Sequence, residues 1–203
     1  MNSTMRRSKL MTETAVAAAL SAMLVLLKLI FPLLVVVTMW CSAVPIAIIT
    51  SFHGMRWGLF CCAVEIGLVN MLGGPQIGLT TAFYAAALGL AMGYGFLKNL
   101  SYRKTFALVF AAYVTEMSYK IIFSIYVLGI ADALSASVER LAKILTWLWT
   151  PLAHLFHTDP NALSSSGLAV TVIIFLLDAC VYAYLNLEIG IHVRKRLKDA
   201  SRN

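Results

Sequence analysis

Apolar runs long enough to cross a bilayer recur along this chain, and that recurrence constrains its fold more than any other feature. They fall at about 12–30, 34–52, 58–72, 79–96, 105–130 and 167–192. A hydrocarbon core ~30 Å thick takes roughly 20 helical residues to cross. Inside lipid every backbone N–H and C=O must be satisfied within the protein, which leaves helices and closed barrels. Barrel strands alternate apolar and polar residues, whereas these runs are continuous, so helices are expected. The expectation is an all-α polytopic membrane protein: residues 1–203 as one transmembrane domain, a six-helix bundle joined mostly by short connections. Only 12% of the residues are charged, against ~25% in soluble domains, and the length leaves no room for a soluble catalytic domain.

The charges that remain are distributed informatively. The net charge of +7 would suggest a nucleic-acid partner in a soluble protein. Here it lies in short loops and tails, where it sets topology, and no nucleic acid is expected. The basic N-terminus, the 53–57 turn, the 98–104 loop and the Arg194–Arg202 tail alternate with uncharged or mixed loops. The excess of Lys and Arg on cytoplasmic loops then places both termini inside. The Pro32 turn, the 73–78 loop and the 131–166 segment face out. Within 131–166, Val138, Leu141, Ile144, Leu145 and Leu148 follow helical spacing, and Trp147 and Trp149 suit an interface, so an amphipathic surface helix is expected. His154, His157 and Asp159 have metal-ligand chemistry but lack a further ligand, so no metal or cofactor is expected. The N-terminal basic stretch precedes an apolar run too long for a signal peptide, and reads as a retained first span.

Charges inside the spans are the candidate functional groups. Glu116 and Lys120 stand near the centre of the fifth run, one helical turn apart on a face shared with Tyr113, Met117 and Ser124. A charge at that depth costs at least ~2.5 kcal/mol. Either the pair is a structural tie between helices or it belongs to a substrate or ion site. Glu65 and Asp178 fall at similar depth, and Tyr182 and Asn186 share a face with Asp178. Lys28 is expected to snorkel to the outer interface. Three acids against two bases predict a protonated carboxyl or a bound cation. The four cysteines lie within spans and read as small buried residues.

Small residues suggest where helices meet. Ala15, Ala18, Ala19 and Ala22 line one stripe of the first span, either for packing inside the chain or for docking a separate subunit. Gly89 and Gly93, with Ala82, Ala85 and Ala86, make a GxxxG-type face on the fourth span. Phe31-Pro32 ends the first helix, and Pro45 predicts a kink in the second. The run Gly73-Gly74-Pro75-Gln76-Ile77-Gly78 reads as an outer loop, a plain turn or a lid.

With these features the chain resembles the substrate-binding S components of energy-coupling factor (ECF) transporters. More closely, the run Thr14–Gly95 is similar to the YybS-like family of predicted membrane proteins, related to them. The Ala15–Ala22 stripe, the Phe31-Pro32 break, the turn His53-Gly54-Met55-Arg56-Trp57-Gly58 and the Gly-rich fourth span carry the likeness. The resemblance implies a bacterial plasma membrane and an ECF-type coupling subunit with ATPases as partners, docked on Ala15, Ala18, Ala19 and Ala22. It also implies an outward pocket among spans four to six, lined by Tyr84, Glu116, Lys120, Asp178 and Tyr182 and roofed by Gly74, Pro75 and Gln76. The 131–166 segment is larger than a typical S component carries.

The expected function is therefore small-molecule capture for import, powered by a separate ATPase module, since no nucleotide-binding loop occurs here. Two alternatives stand beside it: a non-transporting scaffold of cell-envelope assembly, similar to the MreD class, and an ion-coupled secondary transporter. An enzyme is not expected, as neither HExxH nor GxSxG is present.

Overall fold

The computed structural model describes residues 3–31, 35–127 and 167–200, with isolated positions between 129 and 150. Every regular element among them is a helix. In chain order these are α1 (Ser3–Ile30), α2 (Val35–Ser42), α3 (Val44–His53), α4 (Met55–Gly73) and α5 (Pro75–Thr81), then a π-helical turn (Ala82–Ala86), α6 (Ala87–Leu97), α7 (Tyr102–Tyr126) and α8 (Gly167–Ala200). Five stretches are long and apolar enough to cross a membrane: Arg7–Leu27, Met55–Gly73, Pro75–Leu97, Tyr102–Tyr126 and Val172–Ala200. The expected second crossing is the shorter apolar pair α2–α3. The amphipathic helix expected within 131–166 lies outside the described residues except at isolated positions, as do His154, His157 and Asp159. The side chain of Lys28 is also outside them.

The chain divides into two compact units, Met1–Met117 with Val181–Asn203, and Ser118–Cys180. In the first, contacts fix the direction of each helix. Glu13 meets His53, Ser21 meets Glu65, and Gly73 approaches Leu26, so α1 and α4 run parallel. Gly89 lies against Ala43 and Ile46, and Gly93 against Ala47 and Thr50, so α3 and α6 run parallel. Tyr84 meets Tyr182, Met92 approaches Gly190 and Phe96 accepts from Arg194, which aligns the π turn and α6 with α8. The beginning of α1 and the end of α8 come to the same end of this unit, where Thr12 and Leu197 line one groove.

Two single-residue turns hold α3, α4 and α5 together. Gly54 (φ 93°) and Gly74 (φ 88°) take backbone conformations that side chains resist. Each glycine N–H closes the preceding helix, on Thr50 O at 3.0 Å and on Asn70 O at 3.1 Å. Each glycine C=O then opens the next, accepting from Gly58 and Gly78. The outer loop expected over 73–78 is thus corrected to Gly74 alone. Pro75 begins α5, because the first helical turn needs no donor from it. Gly74, Pro75 and Gln76 form a sharp corner and a helix start in place of an extended lid. Pro45 acts in the same way: the helix is interrupted at Ala43 and restarts with Pro45 in the first turn of α3.

Packing corrects the register of the small-residue stripe. Thr14, Ala18, Ser21, Ala22 and Val25 are the buried face of α1, while Ala15 and Ala19 are exposed. Ala18 sits in a cluster with Ile46, Ile49, Cys61, Cys62 and Ala86. Ala18 and Ala22 are therefore internal packing residues, and a docking face holding all four alanines is not available. Ala18→Leu is expected to lower stability by about 1–3 kcal/mol through over-packing, whereas Ala15→Leu and Ala19→Leu leave it within ~0.5 kcal/mol. Unfolding midpoints in detergent distinguish the two cases.

Candidate functional site, a buried polar string

The first unit encloses a run of polar groups crossing from α1 and α4 to α7 and α8. Lipid-facing and core helices satisfy their hydroxyls locally, as Thr14, Thr50 and Thr81 do by donating to carbonyls four residues back. Ser21 does otherwise. Its Oγ stands 2.5 Å from the Ser42 carbonyl oxygen and 2.5 Å from Glu65 Oε1, between two other helices. Ser42 in turn hydrogen-bonds through its side chain to the Tyr84 hydroxyl. Tyr182 donates to Tyr84 at 2.6 Å. The Tyr182 ring stacks on Tyr113, with centroids 4.3 Å apart and planes inclined by 28°. Glu116, one turn beyond Tyr113 on α7, is within electrostatic reach of both hydroxyls.

Both carboxylates are fully buried: Glu65 and Glu116 each have 0% exposure. Ser21 Oγ donates to Glu65 Oε1 and lies equally close to the Ser42 carbonyl oxygen, so a single hydroxyl ties α1 to both α2 and α4. Glu65 Oε2 has no hydrogen-bond partner among the described residues, as a bare carbonyl oxygen tolerates better than a carboxylate would.

The π-helical turn positions Tyr84. Such turns shift side-chain register inside a helix and recur at functional sites. Here it presents Tyr84, Ala85 and Ala86 together to the core. On α8, the Asn186 amide donates to Tyr182 O at 3.1 Å, while Asn186 Oδ1 has no partner among the described residues. Further along, Arg194 donates to Phe96 O at 3.0 Å and lies 5.1 Å from the Phe96 ring, covering the end of α6. The basic tail thus has a built structural contact where only a charge effect was expected.

Of the five predicted lining residues, Tyr84, Glu116 and Tyr182 come together in this string. Lys120 and Asp178 belong to the second unit, where Lys120 is half-buried and Asp178 exposed. Ser21, Ser42, Tyr113 and Glu65 complete the string, although none is among the five lining residues that the resemblance implies. Glu65 carried a signal in its mid-span depth. The two serines carried one too: each is a hydroxyl set among small or apolar residues. Two cavities lie apart from the string. A groove of about 590 Å³ runs along Val16, Leu20, Leu24, Val44, Ile48 and Val193, and a second of about 560 Å³ opens near Arg7 and Arg56. Among the described residues no cluster of three or more His, Cys, Asp or Glu side chains could hold a metal ion.

The helices and the buried string define a multi-pass, all-helical membrane protein. The match of residues 19–202 to the family described as "Predicted membrane protein (DUF2232)" shows that the chain belongs to that family. It is also similar to the "Uncharacterized protein YybS" of Bacillus subtilis (strain 168), 27% identical over 128 residues. That alignment covers 62% of this chain and 40% of the relative, so this chain matches less than half of the longer protein. No solved structure matches it.

Proposed function

We propose that this protein is a membrane-embedded substrate-binding subunit of a small-molecule importer, similar in outline to an ECF S component. The observation that carries the reading is the string from Glu65 to Glu116, two buried carboxyls at either end of a run of hydroxyls in the core of a membrane bundle. Ionisable groups at such depth are costly and mark substrate or ion pathways. The Tyr84–Tyr113–Tyr182 cluster offers aromatic faces and hydroxyls beside Glu116, which suits a cationic or zwitterionic small molecule. In this reading α2–α3 serves as one of six crossings, and both termini lie in the cytoplasm of a bacterial cell. The protein is non-catalytic and takes its energy from a coupling subunit and ATPases. The coupling subunit meets the exposed side of α1, at Ala15 and Ala19.

A second reading rests on the same string in another way. Two buried carboxyls with hydroxyls between them are the kind of group an ion-coupled carrier uses to bind and release a proton. Native mass spectrometry of the protein extracted with its neighbours separates the readings. The importer reading expects a retained small molecule and ATPase-bearing partners, with ligand occupancy falling at least ~10-fold in Glu116→Gln and Tyr182→Phe. The carrier reading expects uptake that collapses with the proton gradient and needs no partner. A scaffold expects neither a ligand nor any loss in the two variants, and that result overturns the proposal.

A further inference from the structure

A second site lies at the end of the first unit where α1 and α4 begin. Arg7 and Arg56 border a cleft of about 560 Å³ whose other walls are Leu10, Met11, Trp57 and Phe60. Trp57 and Phe60 pack edge to face, with ring centroids 6.2 Å apart. The two helices run parallel here, and their membrane-capable stretches start at Arg7 and Met55. Both guanidinium groups therefore sit at the level where the apolar spans begin, and the apolar walls run from them toward the bilayer interior.

Among the described residues no acidic side chain lines the cleft. The nearest acid along α1, Glu13, is engaged elsewhere: its Oε2 is 2.7 Å from His53 Nε2 and its Oε1 is 3.8 Å from Lys9 Nζ. Among the described residues neither Arg7 nor Arg56 is paired with a carboxylate. Two arginines whose planar forks fit phosphate oxygens, over a Trp at interfacial depth and an apolar floor, match one ligand chemistry. That ligand has an anionic phosphodiester head and hydrocarbon tails. A free phosphate would use the arginines and leave Leu10, Met11, Trp57 and Phe60 without a role.

We propose that this cleft is a binding site for an anionic phospholipid, with the headgroup phosphate on Arg7 and Arg56 and an acyl chain against Trp57 and Phe60. The site is independent of the polar string and stands whether or not the protein transports.

The full-length protein in detergent is titrated with phosphatidylglycerol and with phosphatidylcholine, and lipid-bound species are counted by native mass spectrometry. Wild type is expected to retain phosphatidylglycerol in preference. Each arginine removed should weaken that preference about five-fold, and Arg7→Gln with Arg56→Gln roughly 25-fold. Trp57→Ala should weaken both lipids alike. Arg103→Gln with Lys104→Gln removes two exposed basic residues from the first turn of α7 and should leave the preference unchanged. Both arginines are exposed, so an unchanged melting temperature is expected, and Arg7→Lys with Arg56→Lys keeps the charge should the glutamine pair unfold. The proposal is overturned by equal retention of the two lipids, by an equal loss in the Arg103/Lys104 variant, or by competition from inorganic phosphate at the concentration of the lipid.

Discussion

Alanine at Gly89 and Gly93 together is expected to cost this protein about 2–6 kcal/mol, at roughly 1–3 kcal/mol per over-packed site. A Cβ at Gly89 would stand 2.7 Å from Ile46 Cβ and 2.8 Å from the Ala43 carbonyl oxygen. At Gly93 it would stand 2.5 Å from Thr50 Cβ and 3.0 Å from the Ala47 carbonyl oxygen. Side-chain ends can rotate away, but main-chain carbonyls and Cβ atoms cannot, so α3 and α6 must separate along their shared length. In lipid no hydrophobic force pulls them back, because tails solvate the exposed faces as well as leucine does. Gly67 is the control: nothing lies within 4 Å of its added Cβ, and Gly67→Ala should gain about 0.5–1 kcal/mol from helix propensity. Unfolding titrations in mixed micelles read both. An unchanged midpoint for the double variant would mean the two backbones do not touch.

Removal of the Glu65 side chain comes next in size. Glu65→Ala is expected to destabilise by about 2–5 kcal/mol, combining an unfilled void with a serine hydroxyl stripped of its partner. Glu65→Gln should cost less than ~1 kcal/mol, since the carboxamide oxygen still accepts from Ser21 and no charge is buried. The contrast is the test, because a true carboxylate would not be replaced so cheaply. Infrared spectra supply an independent check: wild type should show a protonated-carboxyl C=O band that Glu65→Gln lacks. If the glutamine and alanine variants are equally damaged, the neutral state is wrong.

Much of this architecture could be read from hydropathy, since helices in lipid announce themselves by length and composition. The runs that became α1, α4, α5–α6, α7 and α8 were located to within a few residues at most ends, though α1 begins nine residues earlier and α8 ends eight later than expected. These extensions are polar and basic helix ends, invisible to a search for apolar length. Register was harder. The alanine stripe was centred one residue off the true buried face because Thr14 and Ser21, polar by type, were not counted as packing residues. Over 73–78 the sequence signals a turn or lid without locating it, because Gly and Pro mark turns alike. Only Gly74 adopts a turn conformation, and Pro75 serves as a helix starter. The π-helical turn has no residue signature at all. For the site, Tyr84, Glu116 and Tyr182 were legible as polar groups at depth. Their link to Glu65 through Ser21 and Ser42 depends on helix adjacency, which one sequence does not contain.

The one-residue corners at Gly54 and Gly74 have a practical bearing on mapping which side of the bilayer each end faces. There is no slack at either position for an inserted epitope or a reporter fusion, since the same glycine closes one helix and opens the next. A tag placed there would report on a broken hairpin. Between α6 and α7, Lys98–Ser101 offers an open connection with exposed residues. Reporters at that connection and at the chain ends would map sidedness without prying the bundle apart.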